Sequence, residues 1–366
     1  MGLILFVVFV ALAFEYINGF HDTANSIATV VSTKVLTPRM AIALAAVTNL
    51  VGAMWGTAVA KTISSGLVDT KVFSLTSEAL ICALIGAIIW NLFTWYIGLP
   101  SSSSHALIGG LCGAALAAAK NNWRVIIWSQ PDAAHWYKGK GLLWKVIMPM
   151  ITSPLLGFVL GFVIMAVLYV SLQKLRPQTI NRVFGKAQIF SAAGMGFMHG
   201  TNDAQKTMGI IALALLTGTT SGAFDHLPGW LQFLHTPPPA KGADLDIALW
   251  IKLTCAVVMC AGTAAGGWRI IRTLGHKMVK LQPINGFAAE TSSAAVIFLA
   301  THLGIPVSTT HNISASIMGV GAAKRFGALN LSVIEKMVWA WILTIPICGA
   351  LSYGMVRLLE YFHLMA

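Results

Sequence analysis

The chain has 366 residues, of which 57% are hydrophobic and 10% charged, and its mean hydropathy is +0.76. Soluble globular domains carry about a quarter charged residues, so that class is excluded and an integral membrane protein is implied. The net charge of +12 does not point to nucleic acid, because the bases lie in short loops between apolar runs, where membrane proteins gather Lys and Arg on the cytoplasmic side.

A spanning helix needs about 20 mostly apolar residues. On that measure ten segments follow one another: 3–33, 40–60, 78–97, 104–119, 146–172, 187–216, 247–268, 286–303, 309–323 and 337–363. The first has no basic leader and stays apolar past Glu15 without a cleavage signature, so no removable signal peptide is expected. It is expected to break near Gly19, and the sixth near Gly200. The fourth and ninth are short, and each follows a Gly-x-Pro and a run of hydroxyls: Gly98-Leu-Pro-Ser-Ser-Ser-Ser-His105 and Gly304-Ile-Pro-Val-Ser-Thr-Thr-His311. With the segment before it, each is expected to form a re-entrant hairpin, since irregular backbone at membrane depth is tolerated where it lines a cavity. Cys82, Cys112, Cys255, Cys260 and Cys348 fall in apolar runs without metal-ligand spacing and read as packing residues.

Loop charge orients the chain. With the N-terminus outside, the inside loops hold Lys34, Arg39, Lys174, Arg176, Arg182, Lys186, Arg269, Arg272, Lys277, Lys280, Lys324, Arg325 and Lys336 against Glu335 alone. The outside loop 217–246 carries Asp225, Asp244 and Asp246 against Lys241, and with Pro237-Pro238-Pro239 it reads as a surface connection. Loop 120–145 is the exception: it falls outside yet carries Lys120, Arg124, Lys138, Lys140 and Lys145.

Two polar stretches nearly repeat each other: Asn18-Gly-Phe-His-Asp-Thr-Ala-Asn25 and His199-Gly-Thr-Asn-Asp-Ala-Gln-Lys206, with Asp22 and Asp203 181 residues apart. A second repeat sets His105 and His311 206 apart, and likewise Gly98 and Gly304, and Pro100 and Pro306. Five segments per half send the second half into the membrane from the opposite side. The expected fold is therefore an all-α polytopic membrane protein, a single transmembrane transporter domain over 1–366. It is read as two inverted five-segment repeats, 1–180 and 181–366, with broken helices and re-entrant hairpins.

An intramembrane carboxylate is a functional-site signal by default. The half-helices after Gly19 and Gly200, and those after Ser101 to Ser104 and Ser308 to Thr310, would present four N-termini whose free N–H groups suit an oxyanion. Asp22 and Asp203 repel an anion, so beside it they imply a cation: a metal ion, Na⁺ or protons. Asn25, Asn202 and Gln205 offer oxygens to a hard cation or N–H donors to the anion, and Lys206, at the position matching Asn25, could neutralise Asp203 or touch the anion. Glu15 lies two helical turns before Asp22 and could face the same cavity. Glu290 sits early in its helix and reads as interfacial. His21, His105, His199 and His311 lie at the expected breaks and are candidates for proton relay. Enzyme readings fail: the aspartates lack the Gly-x-Gly-Asp context of intramembrane aspartyl proteases, and Ser104-His105 has no Gly-x-Ser-x-Gly elbow. An anion channel would not need the acids.

Asn18 to Asn25, Ile88-Ile-Trp-Asn91, Gly98 to His105, His199 to Lys206 and Pro306-Val-Ser-Thr-Thr-His311 together resemble the PiT family of inorganic phosphate transporters, in its bacterial low-affinity branch. The family's Gly-Ala-Asn-Asp signature stands here as Gly-Phe-His-Asp and Gly-Thr-Asn-Asp. The resemblance implies a homodimeric plasma-membrane symporter that moves phosphate inward, alone or as a metal–phosphate complex, with H⁺ or Na⁺. Animal members, which use Na⁺, carry a Glu where this chain has Asn49, so protons are expected here; a few relatives carry sulfate instead. With phosphate as the anion, its expected ligands are Asn25, Ser102, Ser103, Ser104, Gln205, Lys206, Ser308, Thr309 and Thr310, while Glu15, Asp22, Asn202 and Asp203 serve the cation. No catalytic residue, cofactor or resident metal is assigned.

Overall fold

The computed structural model describes residues 1–69, 75–132, 139–238 and 245–364. The first half of the chain forms α1 (Gly2–Ser32), α2 (Pro38–Ala53), α3 (Ala58–Ser65), α4 (Ser77–Ile97), α5 (Ser103–Ala118) and α6 (Met148–Leu172). The second forms α7 (Pro177–Thr220), α8 (Leu249–Ala265), α9 (Trp268–Arg272), α10 (Pro283–His302), α11 (Thr309–Lys324) and α12 (Leu331–Tyr361). Among the described residues no strand forms, and all ten expected segments are present as helix. By length and composition α1, α4, Leu143–Leu172 and α12 can each cross a membrane, and the bent pairs α2–α3 and α8–α9 add two more. Local chemistry sets the ends. Thr37 and Thr76 cap α2 and α4 with side-chain oxygens, Pro38 and Pro283 open α2 and α10, and Gly98 (φ +73) ends α4 in the left-handed conformation that only glycine adopts cheaply.

The helix breaks differ from expectation. α1 runs unbroken through Gly19 and α7 through Gly200. Breaks occur instead in the second segment of each half, where α2 turns 70° into α3 and α8 turns 59° into α9. Gly56 (φ +80) and Gly266 (φ +73) stand at these corners. Gly19 and Gly200 serve close packing: a methyl group on Gly19 would lie 2.5 Å from the Met259 carbonyl oxygen, and one on Gly200 2.3 Å from that of Asn49. Small residues that let backbones touch are how helices associate without a hydrophobic driving force between them.

Packing pairs repeat across the halves. α1 lies on α8 as α7 lies on α2; α5 lies on α12 as α11 lies on α6; α4 and α10 flank α1 and α7 respectively. Two apolar clusters result. One gathers the N-terminal part of α1 up to Phe14, α3, α4, α5 and α7 from Ala204 onward. The other gathers α1 from Ala24, α2, α10, α11 and α7 around Met195. The stretches 15–23 and 196–203 fall between them, so the polar motifs sit in a band separating two dry cores. Large side chains such as Phe9, Phe93, Leu155, Val170, Phe298 and Ile342 face outward, as a lipid-facing perimeter requires.

Loop 120–145 is pinned to the segment after α3 by the bridge Val68–Ile126, closes on itself at Gln130–Lys140, and carries the ring pair Trp123–Trp128. Its Lys138 lies outside the described residues, as do Pro239, Lys241 and Asp244 of loop 217–246, which holds a short turn at Gly229–Leu234.

Candidate functional site

Asp22, on α1, and Asp203, on α7, come together although they belong to different halves. With His199 they form a buried group whose ligand atoms all lie within 4.8 Å of one another. Two carboxylates and an imidazole at that spacing could hold a hard or borderline cation, including a divalent metal arriving with its anion. Each carboxylate is held by a hydroxyl from its own half. Ser103 Oγ donates to Asp22 Oδ2 at 2.7 Å, and Thr309 Oγ1 donates to Asp203 Oδ2 at 3.0 Å. His21 Nδ1 lies 2.6 Å from Asp22 Oδ1, and His199 Nε2 lies 3.3 Å from Asp203 Oδ2. His199 is oriented from behind by Asn49 Oδ1 at 3.1 Å, and Asn49 in turn donates to Thr263 Oγ1 at 3.0 Å.

The hydroxyl runs divide their labour by position, in the same order in the two halves. Ser102 and Ser308 are helix caps, each accepting a hydrogen bond at 3.1 Å from the backbone N–H three residues on, at His105 and His311. Ser103 and Thr309 hold the aspartates. Ser104 accepts from Lys206 Nζ, and Thr310 accepts from Asn25 Nδ2 at 2.8 Å, so the last hydroxyl of each run meets the opposite half. The N–H groups of Ser103, Ser104, Thr309 and Thr310 open α5 and α11 and have no intrahelical acceptor, which leaves two donor-rich helix starts beside the carboxylates. The turns before them are held crosswise: Thr273 Oγ1 donates to Gly98 O at 2.8 Å, and Thr62 Oγ1 to Gly304 O at 2.7 Å.

Four expected N-termini are thus reduced to two, because α1 and α7 do not restart at Gly19 and Gly200. Other expected site residues also stand apart. Gln205 accepts from the N–H of Val59 at 2.8 Å and donates to Thr201 O at 2.8 Å and Trp55 O at 3.3 Å, so its amide is taken up by the α2–α3 corner. Asn202 turns toward α10, donating to Thr301 Oγ1 at 2.8 Å. Glu15 accepts from Thr207 Oγ1, two turns from Asp22, or about 10 Å along α1. His105 and His311 do not face the carboxylates; their rings pack on each other edge to face at 4.8 Å, and His311 stacks on Trp341 at 4.3 Å.

Glu290 is not interfacial. It is fully buried, and its carboxylate accepts from Thr29 Oγ1, Ser191 Oγ and Gln188 Nε2. Thr29 lies seven residues beyond Asp22 as Glu15 lies seven before it, so one face of α1 meets three buried carboxylate positions in a column. The signal was available in the sequence: an acid within an apolar helix is the same observation that singled out Asp22.

The comparisons with known proteins agree with this architecture. The model of a family described as "Phosphate transporter family" matches residues 18–352, nearly the whole chain and all the motifs above. The chain belongs to that family. A Bacillus subtilis (strain 168) protein named "Probable low-affinity inorganic phosphate transporter" is 45% identical over 360 residues, covering 98% of each chain. A Rhizobium meliloti (strain 1021) protein of the same name is 41% identical over 344 residues, 94% of this chain and 92% of its own. A solved structure titled "The sodium-dependent phosphate transporter" superposes with a TM-score of 0.79 at 22% identity, covering 99% of this chain and all of that one. The likeness extends over the whole fold, and the phosphate transporter family comprises membrane transporters rather than enzymes. This member is a multi-pass protein of the plasma membrane.

The division among the hydroxyls of this transporter is testable. Ser102→Ala and Ser308→Ala are expected to cost about 1 kcal/mol of stability as lost caps while leaving phosphate affinity unchanged. Ser104→Ala and Thr310→Ala are expected to weaken phosphate binding roughly 10- to 150-fold, the worth of a hydrogen bond to a charged group. Thermal unfolding and phosphate titration on the same samples check both; equal affinity losses from Ser102→Ala and Ser104→Ala would contradict the division.

Proposed function

We propose that the chain carries inorganic phosphate into the cell by symport with protons, alternating access between two inverted halves whose short hairpins, α4–α5 and α10–α11, are re-entrant. The observation that carries this reading is the meeting of Asp22 and Asp203 beside the starts of α5 and α11. Two carboxylates alone exclude an anion: unit charges 4 Å apart interact by about 4 kcal/mol at an effective dielectric of 20. A cation on the carboxylates removes that repulsion, and the backbone N–H groups of Ser103, Ser104, Thr309 and Thr310 then supply donors to a tetrahedral oxyanion. Binding of either ion favours binding of the other, which is the requirement for symport. The repeated packing pairs and the crosswise holds on Gly98 and Gly304 supply two matching frames that can rock about the shared site.

Protons are favoured because Asn49 is neutral, whereas His21, Asp22, His199, Asp203 and Glu15 are proton-exchanging side chains that line or approach the site. Transport as a metal–phosphate complex and pairing into a homodimer belong to the same reading. Purified protein in liposomes free of Na⁺ tests it. An inward proton gradient is expected to drive uptake of labelled phosphate, with collapse on adding a protonophore and little uptake of sulfate. Uptake that stays at background until Na⁺ is added outside would assign the coupling ion to Na⁺ instead.

A further inference from the structure

We propose that the Lys206 ammonium is a tethered cation that fills one of two equivalent cation positions, so that phosphate is coupled to a single exchangeable cation at Asp22. The inference rests on the coupling reading above.

The equivalence is visible in sequence and in contacts. The 181-residue offset that sets Asp22 on Asp203 sets Asn25 on Lys206. The contacts match as well: Ser103 holds Asp22 as Thr309 holds Asp203, and Asn25 reaches Thr310 as Lys206 reaches Ser104. The two positions therefore share the holding hydroxyl and the reach across the halves. Of the matching side chains that differ, His21 against Asn202, Asn18 against His199 and Asn25 against Lys206, the last puts an ammonium on one side only.

That difference is a charge. Lys206 Nζ is ringed by oxygens, donating to Asp203 Oδ1, to Ser104 Oγ and to the Val307 carbonyl at 3.1 Å. An ammonium has three N–H donors, and here all three are used. Carboxylate, hydroxyl and carbonyl oxygens are also the ligands a hard metal cation selects, so the Nζ atom occupies the place such an ion would take. The lysine is 2% exposed and its stem is buried with it, which fixes the charge beside Asp203 rather than leaving it to wander.

Asp22 has no such partner. Its carboxylate meets His21, Ser103 and Thr310, with His199 and Asp203 opposite, and the corresponding side chain, Asn25, is a neutral amide. Asn25 donates through Nδ2 to Thr309 and Thr310, while its Oδ1 is buried without a hydrogen-bond partner. A buried acceptor with nothing to accept, at the position matching the ammonium of Lys206, is an incomplete shell. One cation completes it. Two aspartates and one ammonium leave a single negative charge among these three groups, and one further cation cancels it.

Replacing the lysine by the residue at the matching position should reopen the second site. In proteoliposomes, phosphate accumulation is measured against graded H⁺ and Na⁺ gradients at set membrane potentials. Wild type is expected to take one cation per phosphate with hyperbolic cation dependence. Lys206→Asn is expected to take two, with sigmoidal dependence, and Lys206→Arg, which keeps the charge, to keep the ratio of one. An unchanged ratio in an active Lys206→Asn would overturn the assignment. Should that variant not transport, its thermal stability in detergent is read with and without Na⁺ or Li⁺. Stabilisation by either ion that wild type lacks supports the assignment; cation dependence like that of wild type, or failure to fold in every cation, overturns it. A wild type whose accumulation ignores all cation gradients would fail the coupling reading itself, whereas a coupled wild type with an unaltered Lys206→Asn fails only the role of Lys206.

Discussion

Asp22→Asn is expected to leave the transporter folded and inserted and to abolish phosphate accumulation against a gradient. The amide keeps the shape of the carboxylate, and Ser103 Oγ can still donate to its oxygen, so the fold loses little. What is lost is the charge that makes cation and anion binding interdependent. An interaction of about 4 kcal/mol corresponds to roughly a thousand-fold in linked affinity, enough to turn concentrative uptake into at most slow equilibration. Asp203→Asn should differ. It leaves the Lys206 ammonium buried without its carboxylate, and breaking a buried ion pair on one side costs about 3–5 kcal/mol. The pair of variants thus separates coupling from stability: thermal unfolding should distinguish them, while both fail to accumulate labelled phosphate. Concentrative uptake by Asp22→Asn at the wild-type rate would remove Asp22 from the coupling step.

Gly200→Ala is expected to cost most of the folded protein, although alanine is the better helix former. The added methyl group would lie 2.3 Å from the Asn49 carbonyl oxygen and 2.7 Å from the Asn49 Cα, both backbone atoms that no rotamer change can move. α7 and α2 would have to separate at the point where Asn49 orients His199, so the penalty should reach or exceed the roughly 1–3 kcal/mol of ordinary overpacking. Gly194→Ala, in the same helix with nothing within 4 Å, is the control and should be neutral or slightly stabilising. Were Gly200 a hinge in a broken helix, Gly200→Ala would be tolerated for folding and would impair transport alone. Yields of monodisperse protein in detergent and melting temperatures decide between the two.

Much of this molecule could be read from the chain before its structure. Apolar runs located the ten segments, because a bilayer imposes length and composition on every crossing. The repeated Asp motifs and hydroxyl runs marked residues that the fold brings together as a candidate site, and polar groups at that depth are costly. The failures share one cause: a residue type in one chain does not say which neighbour it faces. Gly19 and Gly200 have the same letters whether glycine bends a helix or admits another backbone, and only the approach of Met259 and Asn49 decides. Gln205 stands beside Lys206 in sequence yet points into the α2–α3 corner, about 100° around the helix. Ser102 and Ser103 are adjacent hydroxyls with different tasks, because one precedes the first turn of α5 and the other begins it. Glu290 reads as interfacial from its place near a helix start, which says nothing of whether α1 and α7 cover it.

In the proposed site, phosphate rests between the starts of α5 and α11, against a cation at Asp22 and beside the Asp203–Lys206 pair. Arsenate shares the shape and charge of phosphate and scatters anomalously, so a crystal structure of the transporter with arsenate places the anion directly. A single anomalous peak within hydrogen-bonding reach of the N–H groups of Ser103, Ser104, Thr309 and Thr310 is the predicted result, and it should weaken in crystals of Asp22→Asn. A peak elsewhere in the membrane region, with none at these two helix starts, would contradict the account.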